Sequence, residues 1–118
     1  CMAELMAIVR STRAAATKAE LARIGCDGYS QLAVLGRGRQ RGLQNPAQAG
    51  GLSFLPKTLF TLVVEESRAD ETIEAVIRAN QTGEFGDGKI FLIEMTESYR
   101  ISTGECQPAK QAAEVSAS

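Results

Sequence analysis

Short apolar runs along the chain predict four strands. Leu5 to Val9 is a compact apolar run that contains β-branched residues, which is typical of a buried strand. In the second run polar and apolar residues alternate weakly, and we expect Leu32 and Val34 to face the helices. The four predicted strands cover residues 5–9, 29–35, 59–64 and 89–95.

Two longer stretches have the residue spacing of helices. Arg13 to Ile24 is rich in alanine and has high helix propensity, and Gly25 follows it where a C-cap glycine belongs. From Ala69 to Asn80, apolar residues repeat every three or four positions while charged residues occupy the other face. We expect side-chain N-caps from Ser11 or Thr12 on the first helix and from Ser67 or Asp70 on the second.

The order of these elements, β-α-β-β-α-β, predicts an α+β ferredoxin-like sandwich, in which both helices cover one face of a single sheet. The strands carry apolar residues on both sides, as Leu59 to Val64 shows. The second sheet face would therefore be a large exposed apolar patch unless another copy of the chain covers it. A closed ring of identical subunits is the simplest cover.

Composition narrows the choice of function. A chain of 118 residues with 44% apolar content forms one compact domain. Its net charge of −1 gives no overall attraction to nucleic acid or to anionic lipid. Three cysteines and no histidine make neither a zinc pattern nor a disulfide framework. With no signal-peptide run and no segment near the ~20 apolar residues that span a bilayer, we expect a cytoplasmic protein without membrane insertion.

Residues 36–53 contain glycines, a proline and three arginines but no acidic residue, so they cannot build a packed core. A stretch of this length inside a compact domain is typical of a lid or a binding loop, and we expect it to be mobile until a ligand binds. Arg37, Arg39 and Arg41 could grip phosphate or carboxylate groups. The alternative is a solvated hairpin loop. Nucleic acid is disfavoured because no aromatic residue lies among the arginines.

A glycine-rich turn from Thr82 to Lys89 leads into the last predicted strand. Glycines let backbone N–H groups converge on an anion, and Lys89 supplies a positive charge, so the turn is a candidate phosphate site. The spacing from Gly83 fits a P-loop, but Ile90 replaces the metal-binding Ser or Thr and a strand follows where that motif requires a helix. The alternative is a connection whose glycines only cap a helix and turn a corner.

Several sequence blocks resemble the signature blocks of the PII signal-transduction proteins, which regulate nitrogen metabolism. The blocks are residues 36–42, 54–57, 82–91 and 100–105. The resemblance covers about residues 3–105 and divides the chain into a PII-like domain at 1–105, with a flexible loop (the family's T-loop) at 37–53, and a flexible tail at 106–118. The lead-in Asn80 to Gly83 and the variant loop are similar to those of divergent members, including members associated with nitrogenase operons.

The resemblance implies a homotrimer of ferredoxin-like subunits that binds ATP or ADP in the clefts between neighbours. It implies a sensor and not an enzyme: nucleotide, with 2-oxoglutarate or another small anion, would set whether the T-loop contacts a target protein. It assigns nucleotide contacts to Ser30, Gly36, Gly38, Arg39, Gln40, Val63, Gly86, Asp87, Gly88, Lys89 and, from a neighbouring subunit, Arg100. Gln40 and Lys57 are assigned to the metabolite, and Gln40 also to the Mg²⁺ that accompanies ATP.

The chain departs from the family pattern in its loop and in its phosphate-binding charges. The loop is shorter than usual and has no tyrosine, so uridylylation should be absent. Ser102 stands where the common pattern has a second arginine, which should weaken the binding of triphosphate more than that of diphosphate. The alternative function is a slow ATPase that uses Lys89 and Mg²⁺. Against it, Asp87 is the only carboxylate in the core of the turn, and no histidine can act as a base.

Overall fold

The structure is a computed structural model that describes residues 1–38 and 53–108. In this part of the chain the strands are β1 (Met2–Arg10), β2 (Ser30–Gly38), β3 (Ser53–Glu65), β4 (Gly88–Glu94), β5 (Glu97–Tyr99) and β6 (Cys106–Pro108). The α-helices are α1 (Ala14–Arg23) and α2 (Ala69–Asn80). Each is preceded by one turn of 3-10 helix, Ser11–Arg13 and Glu66–Arg68. Neither of these helices is long and apolar enough to cross a bilayer.

The four long strands form one antiparallel sheet in the order β2-β3-β1-β4. The central strand β1 pairs with β3 on one side and with β4 on the other. The two helices pack against each other, and β5 pairs with β6 in a separate hairpin. This strand order, with a helix after the first and third strands, confirms the ferredoxin-like α+β fold that the sequence predicts.

The helices cover one face of this sheet, and the core lies beneath them. Leu5, Ala7 and Val9 alternate with half-buried neighbours along β1, and Phe60 and Leu62 face them from β3. Leu21 from α1 and Val76 from α2 complete the same buried cluster. The strand predicted at residues 5–9 is therefore buried on its helix side, as its apolar composition indicates.

The predicted orientation of the second strand is wrong. Leu32 is 57% exposed, because it lies opposite Leu59 on the sheet face that the helices do not cover. Ala33 lies opposite the buried Thr58 and so takes the helix side of β2. Since side chains alternate between faces along a strand, Val34 shares the side of Leu32. The weak alternation in this segment did not determine which set of residues faces the helices.

The predicted side-chain N-caps are also wrong. Neither Arg13 nor Arg68, which precede the two α-helices, has a side-chain cap hydrogen bond. The 3-10 turns contain the residues predicted to cap the helices, apart from Asp70, which lies in the first turn of α2. Each helix instead has a threonine hydroxyl that donates to the carbonyl oxygen four residues earlier, Thr17 to Arg13 and Thr72 to Arg68, both at 2.8 Å.

Two arginines join the helices at their carboxyl ends in a reciprocal way. Arg13, just before α1, donates from Nε to the Ala79 carbonyl oxygen near the end of α2 at 2.8 Å. Arg68, just before α2, donates to the Ile24 carbonyl oxygen at the end of α1. A cation at a helix C-terminus binds carbonyls that lack a partner within the helix. Each helix end is thus satisfied by the start of the other helix.

Gly25 ends α1 as predicted. Its φ is 74° and its N–H donates to the Ala22 carbonyl oxygen at 3.0 Å, while the N–H of Cys26 donates to Leu21 at 2.8 Å. This pattern is the usual glycine C-cap.

The strands extend into both segments that the sequence predicts to be flexible. Arg37 and Gly38 belong to β2 and pair with Phe54 and Ser53 of β3, so the ends of the predicted loop at 37–53 lie in the sheet. Cys106–Pro108 forms β6, although the predicted tail begins at residue 106. Residues 39–52 and 109–118 lie outside the described part of the chain.

The second face of the sheet, here called the open face, is apolar as the sequence predicts. Leu32, Val63, Phe91 and Ile93 lie on this face and are 39–57% exposed. They come from β2, β3 and β4, and Met6 of β1 lies on the same face between β3 and β4, so the patch is continuous across the sheet. An apolar face of this kind is typical of a surface that another protein chain covers.

We predict that Arg13→Met and Arg68→Met each lower the free energy of unfolding by about 1–3 kcal/mol, because a helix-terminal carbonyl loses its charged donor. Chemical denaturation at fixed protein concentration measures the change. Arg78→Met is the matched control, since Arg78 makes a solvent-exposed ion pair with Glu20 at 3.0 Å, which contributes less than about 1 kcal/mol. If the control is as destabilising as the other two variants, the reciprocal caps do not contribute as described.

Candidate functional site

The turn at residues 82–88 connects α2 to β4 and has a backbone that requires glycine. Gly83, Gly86 and Gly88 have φ values of 85°, 93° and 119°. At Gly88 a Cβ atom would lie 2.1 Å from the carbonyl oxygen of Ile8 on the neighbouring strand. Real Cβ atoms do not approach so closely, so β4 can start at this position only without a side chain.

The Asp87 carboxylate points into this turn and joins its two ends. Its Oδ2 accepts hydrogen bonds from the backbone N–H groups of Thr82 and Gly83 at 2.8 and 2.9 Å, and its Oδ1 accepts one from the Thr82 hydroxyl at 2.5 Å. These donors, together with the Arg10 guanidinium, hold the pKa of Asp87 well below its usual range, the Thr82 hydroxyl having the largest effect. The N–H groups of Thr82 and Gly83 are therefore bound to this carboxylate, which fixes the backbone at the start of the turn.

Lys57 connects the turn to the second and third strands. Its Nζ donates to the Gly86 carbonyl oxygen at 2.8 Å, and the residue is only 9% exposed. Burial lowers the pKa of Lys57, the nearby charge of Arg10 lowers it further, and Asp87 acts in the opposite direction. A Cβ on Gly36 would lie 2.8 Å from Lys57 Cγ, so the lysine stem crosses β2 where that strand has no side chain.

Arg10 is the contact to the turn that sequence reasoning missed. It is the last residue of β1, and its Nη1 donates to Asp87 Oδ1 at 2.6 Å while its Nη2 donates to the Phe85 carbonyl oxygen at 2.8 Å. The two partners of the ion pair are 77 residues apart in the chain. No local sequence pattern links the two residues, and an arginine at the end of a strand does not by itself indicate a contact with a distant turn.

Lys89 lies on the open face at the start of β4, where the turn ends. It is exposed and pairs in register with Ile8 of β1. Asp87, Gly88 and Lys89 also line a cleft of about 450 Å³ between the turn and α2, whose other wall is mostly apolar. The structure therefore brings together five of the predicted site residues, Gly36, Gly86, Asp87, Gly88 and Lys89, and with them Lys57.

Asn80 closes the inner end of this cleft, at the end of α2. The side chain is buried, and its Nδ2 donates to the Thr17 hydroxyl oxygen at 3.0 Å and to the Val76 carbonyl oxygen at 2.8 Å. The Thr17 hydroxyl already donates to a backbone carbonyl, which fixes Nδ2 as the atom that faces it. Among the described residues Oδ1 has no donor.

Ser30 and Val63 lie elsewhere on the open face. They line a shallow cleft of about 320 Å³ at the end of the sheet opposite to the glycine turn. Val63 pairs with Glu4 of β1, whereas Lys89 pairs with Ile8. Four residues of strand correspond to about 13 Å. The two groups of predicted residues therefore lie apart within one chain, and each group is here called a half-site of the predicted nucleotide site.

Arg100 lies in the turn of the β5–β6 hairpin, outside the four-stranded sheet. Its side chain is exposed, and its carbonyl oxygen accepts the N–H of Gly104 at 2.7 Å. The Tyr99 hydroxyl donates to Glu97 at 2.9 Å, and this hydrogen bond, with the nearby Cys106 thiol, raises the pKa of Tyr99 to about 12. The structure thus does not bring Arg100 to the turn of its own chain. Arg39 and Gln40 lie outside the described residues, and Gly38 pairs with Ser53.

Comparisons with known proteins agree with the sequence blocks. The chain matches the family model described as "Nitrogen regulatory protein P-II" over residues 2–105. It is 38% identical to "Nitrogen regulatory protein P-II 2" of Methanothermobacter thermautotrophicus, with 88% of this chain and 92% of the relative covered. It is 35% identical to "Nitrogen fixation nifHD1 region GlnB-like protein 2" of Methanosarcina barkeri, with 88% and 94% covered. The predicted similarity to members associated with nitrogen-fixation genes is therefore confirmed.

A solved structure supports the same relation. The crystal structure of Arabidopsis thaliana PII bound to citrate superposes with a TM-score of 0.68 at 30% sequence identity. The match covers 89% of this chain and 84% of the plant protein. The similarity in sequence and the similarity in fold therefore both point to the P-II proteins.

We predict that Gly88→Ala destabilises the protein by about 2–5 kcal/mol, since it combines a left-handed backbone with overpacking against β1. Gly104→Ala is the control: its φ of 74° is also in the region that favours glycine, but a Cβ there would meet nothing within 4 Å. The control should cost about 1–2 kcal/mol. Thermal and chemical unfolding measure both variants, and equal losses would contradict the close approach of β4 to β1.

Proposed function

This chain belongs to the P-II family of nitrogen regulatory proteins, and we propose that it senses adenine nucleotide through its glycine turn. In this proposal ATP or ADP binds in clefts between the subunits of a homotrimer, beside 2-oxoglutarate or another small anion. The occupied cleft determines whether the T-loop, residues 37–53, contacts a target protein. The protein acts as a regulator and not as an enzyme.

The observation that carries the proposal is the pre-shaped glycine turn. Its backbone is held by Asp87 from within and by Lys57 and Arg10 from the neighbouring strands. A backbone that is already ordered does not lose further conformational entropy when a phosphate binds. Lys89 adds an ammonium group at the end of the turn, on the exposed side of β4. Such a cradle suits the phosphate tail of a nucleotide.

The trimer is supported by the two half-sites and by the open face. Gly36, Lys57 and the turn lie at one end of that face, while Ser30 and Val63 lie at the other. If neighbouring copies cover each other's apolar open face in a ring, the turn of one chain can meet the opposite end of the next. The same arrangement would bring in Arg100 from a neighbouring subunit, since its own chain holds it away from the sheet.

The phosphate-binding charges favour a diphosphate. Ser102 has no charge where the family pattern has a second arginine, so fewer cations are available for a γ-phosphate. Mg²⁺, when it accompanies ATP, would offset part of that missing charge, and by family resemblance Gln40 is the residue that we assign to it. We therefore propose that ADP binds at least as well as ATP.

The small anion is supported by Lys57 and by the plant relative. The Lys57 ammonium has three N–H donors and uses one on Gly86, so it has donors left for a carboxylate. The plant PII structure contains citrate, which is also a small carboxylate. A dicarboxylate such as 2-oxoglutarate is the chemical class that we propose for this chain, with Gln40 as the second contact.

The surroundings of Asp87 count against the alternative of a slow ATPase. A general base has to be able to accept a proton from water. The Asp87 carboxylate already accepts four hydrogen bonds, and its pKa is held low, so it is a poor base. We therefore keep the regulatory function as the proposal for this turn.

We predict that Lys89→Ala weakens nucleotide binding by about 1.5–3 kcal/mol, because a charge-assisted contact to phosphate is lost. Titration calorimetry with ADP and with Mg-ATP, each with and without 2-oxoglutarate, measures the change. Lys18→Ala on α1 is the control, since α1 lies on the opposite side of the sheet. Unchanged affinity in Lys89→Ala would contradict the glycine turn as the phosphate site.

We predict that mixed trimers recover binding sites that two defective variants lack. Lys89→Ala disables one half-site and Ser30→Glu disables the other. In trimers assembled from equal amounts of the two chains, about a quarter of the clefts combine an intact turn with an intact opposite half-site. Co-expression with two different tags yields these trimers, and calorimetry at low ADP concentration counts the recovered sites.

Each variant must first be shown to be trimeric by light scattering. Recovery of about a quarter of the sites supports a cleft shared between subunits. No recovery, with both variants trimeric, would mean that Lys89 and Ser30 of the same chain act together, or that Ser30 does not contact the nucleotide.

A further inference from the structure

Arg10 contacts the glycine turn at two points with one side chain. Nη1 reaches the Asp87 carboxylate at 2.6 Å, and Nη2 reaches the Phe85 carbonyl oxygen at 2.8 Å. The planar guanidinium holds its two N–H groups in a fixed relation, so the two partners are held in a fixed relation as well. Arg10 is also the last residue of the central strand β1, which is anchored by β3 and β4 on both sides.

Asp87 passes this constraint on to the start of the turn. Its carboxylate accepts hydrogen bonds from the backbone N–H groups of Thr82 and Gly83, and the Thr82 hydroxyl oxygen in turn accepts the N–H of Glu84 at 3.2 Å. A rotation of the carboxylate would break several of these bonds together. The position of the Asp87 side chain therefore determines the backbone conformation of residues 82–84, and Arg10 holds that side chain.

The charge of Arg10 also reduces the repulsion between the Asp87 carboxylate and a bound anion. A carboxylate in the middle of a phosphate cradle repels phosphate. Arg10 forms an ion pair with Asp87 and cancels much of the electric field of the carboxylate. The neighbouring Lys57 donates a hydrogen bond to the Gly86 carbonyl oxygen. The positive charge of Lys89 then acts on the ligand with less opposition from the charge of Asp87.

We propose that Arg10 is a positioning residue of the anion site, acting through Asp87: it fixes the shape of the turn and neutralises the carboxylate within it, without contacting the ligand. This inference rests on the proposed function in so far as the anion is the phosphate of a nucleotide. The turn geometry that it explains is present in the chain without any ligand.

The test compares Arg10→Met, Arg10→Lys and Asp87→Asn with the unaltered trimer. Arg78→Met is the control, because Arg78 makes a comparable ion pair with Glu20, on the helix side of the molecule. The first measurement is amide hydrogen exchange at Thr82 and Gly83 in the protein without nucleotide, with the amides of Leu5 and Leu62 in the sheet as internal references. The second is the affinity for ADP by calorimetry.

We expect Arg10→Met to speed exchange at Thr82 and Gly83 about tenfold while the sheet amides keep their rates. ADP affinity should fall about tenfold, and Arg10→Lys should recover part of both effects, since an ammonium reaches Asp87 but cannot also hold Phe85 in the same geometry. Asp87→Asn should resemble Arg10→Met, and the double variant should be no weaker than either single variant because both act on one interaction.

Unchanged exchange at Thr82 and Gly83 in Arg10→Met would overturn the positioning role, and so would additive losses in the double variant. If Arg10→Met does not fold, unchanged exchange and unchanged affinity in both Arg10→Lys and Asp87→Asn would overturn it equally. Failure of the proposed function has a different result: the unaltered trimer would not bind ADP, while the exchange rates at the turn would still depend on Arg10.

Discussion

The shape of the candidate site depends on the hydrogen bonds that the Asp87 carboxylate makes across the glycine turn. A turn with several glycines has many accessible conformations, and fixing it costs conformational entropy. In this chain one carboxylate binds two N–H groups and a hydroxyl at the start of the turn and a guanidinium from β1 at the end. Lys57 adds a contact from β3. The turn is thus anchored to two strands of the sheet, and its fixed shape derives from the rigidity of those strands.

The two faces of the sheet differ in what covers them. One face carries the helices and the core, and the reciprocal contacts of Arg13 and Arg68 join the helix ends to each other. The open face is apolar in its middle and carries the two half-sites at its ends. In the trimer that we propose, the surface that joins the subunits would also assemble the ligand site, so that ligand binding and subunit contact would be linked. This linkage is the physical basis on which a small ligand could change how the protein presents itself to a partner.

Several features of the fold could be predicted because the signals are local. Apolar runs give the strands, the alanine-rich stretch gives α1, and Gly25 gives its end. The predicted bounds of α2, Ala69 to Asn80, agree with the structure, because the helical spacing of apolar residues is confined to this stretch. The predicted caps were wrong because Ser11 and Ser67 lie within 3-10 turns and do not occupy the N-cap positions of the α-helices, which are Arg13 and Arg68. The predicted sheet face of Leu32 was wrong because that face depends on the register between β2 and β3. No pattern within β2 alone encodes this register.

The amino-acid sequence by itself determined the class of fold, the glycine turn with its lysine and the apolar second face. Each of these features depends on the types and spacing of residues that are close together in the chain. Only the tertiary structure decided that Asp87 points into the turn, that Arg10 holds it from 77 residues away, and that Ser30 and Val63 lie at the opposite end of the sheet. These are consequences of strand register and of close packing between distant segments. A charge or a glycine acquires its role from the atoms that folding places beside it, and those atoms are remote in the chain.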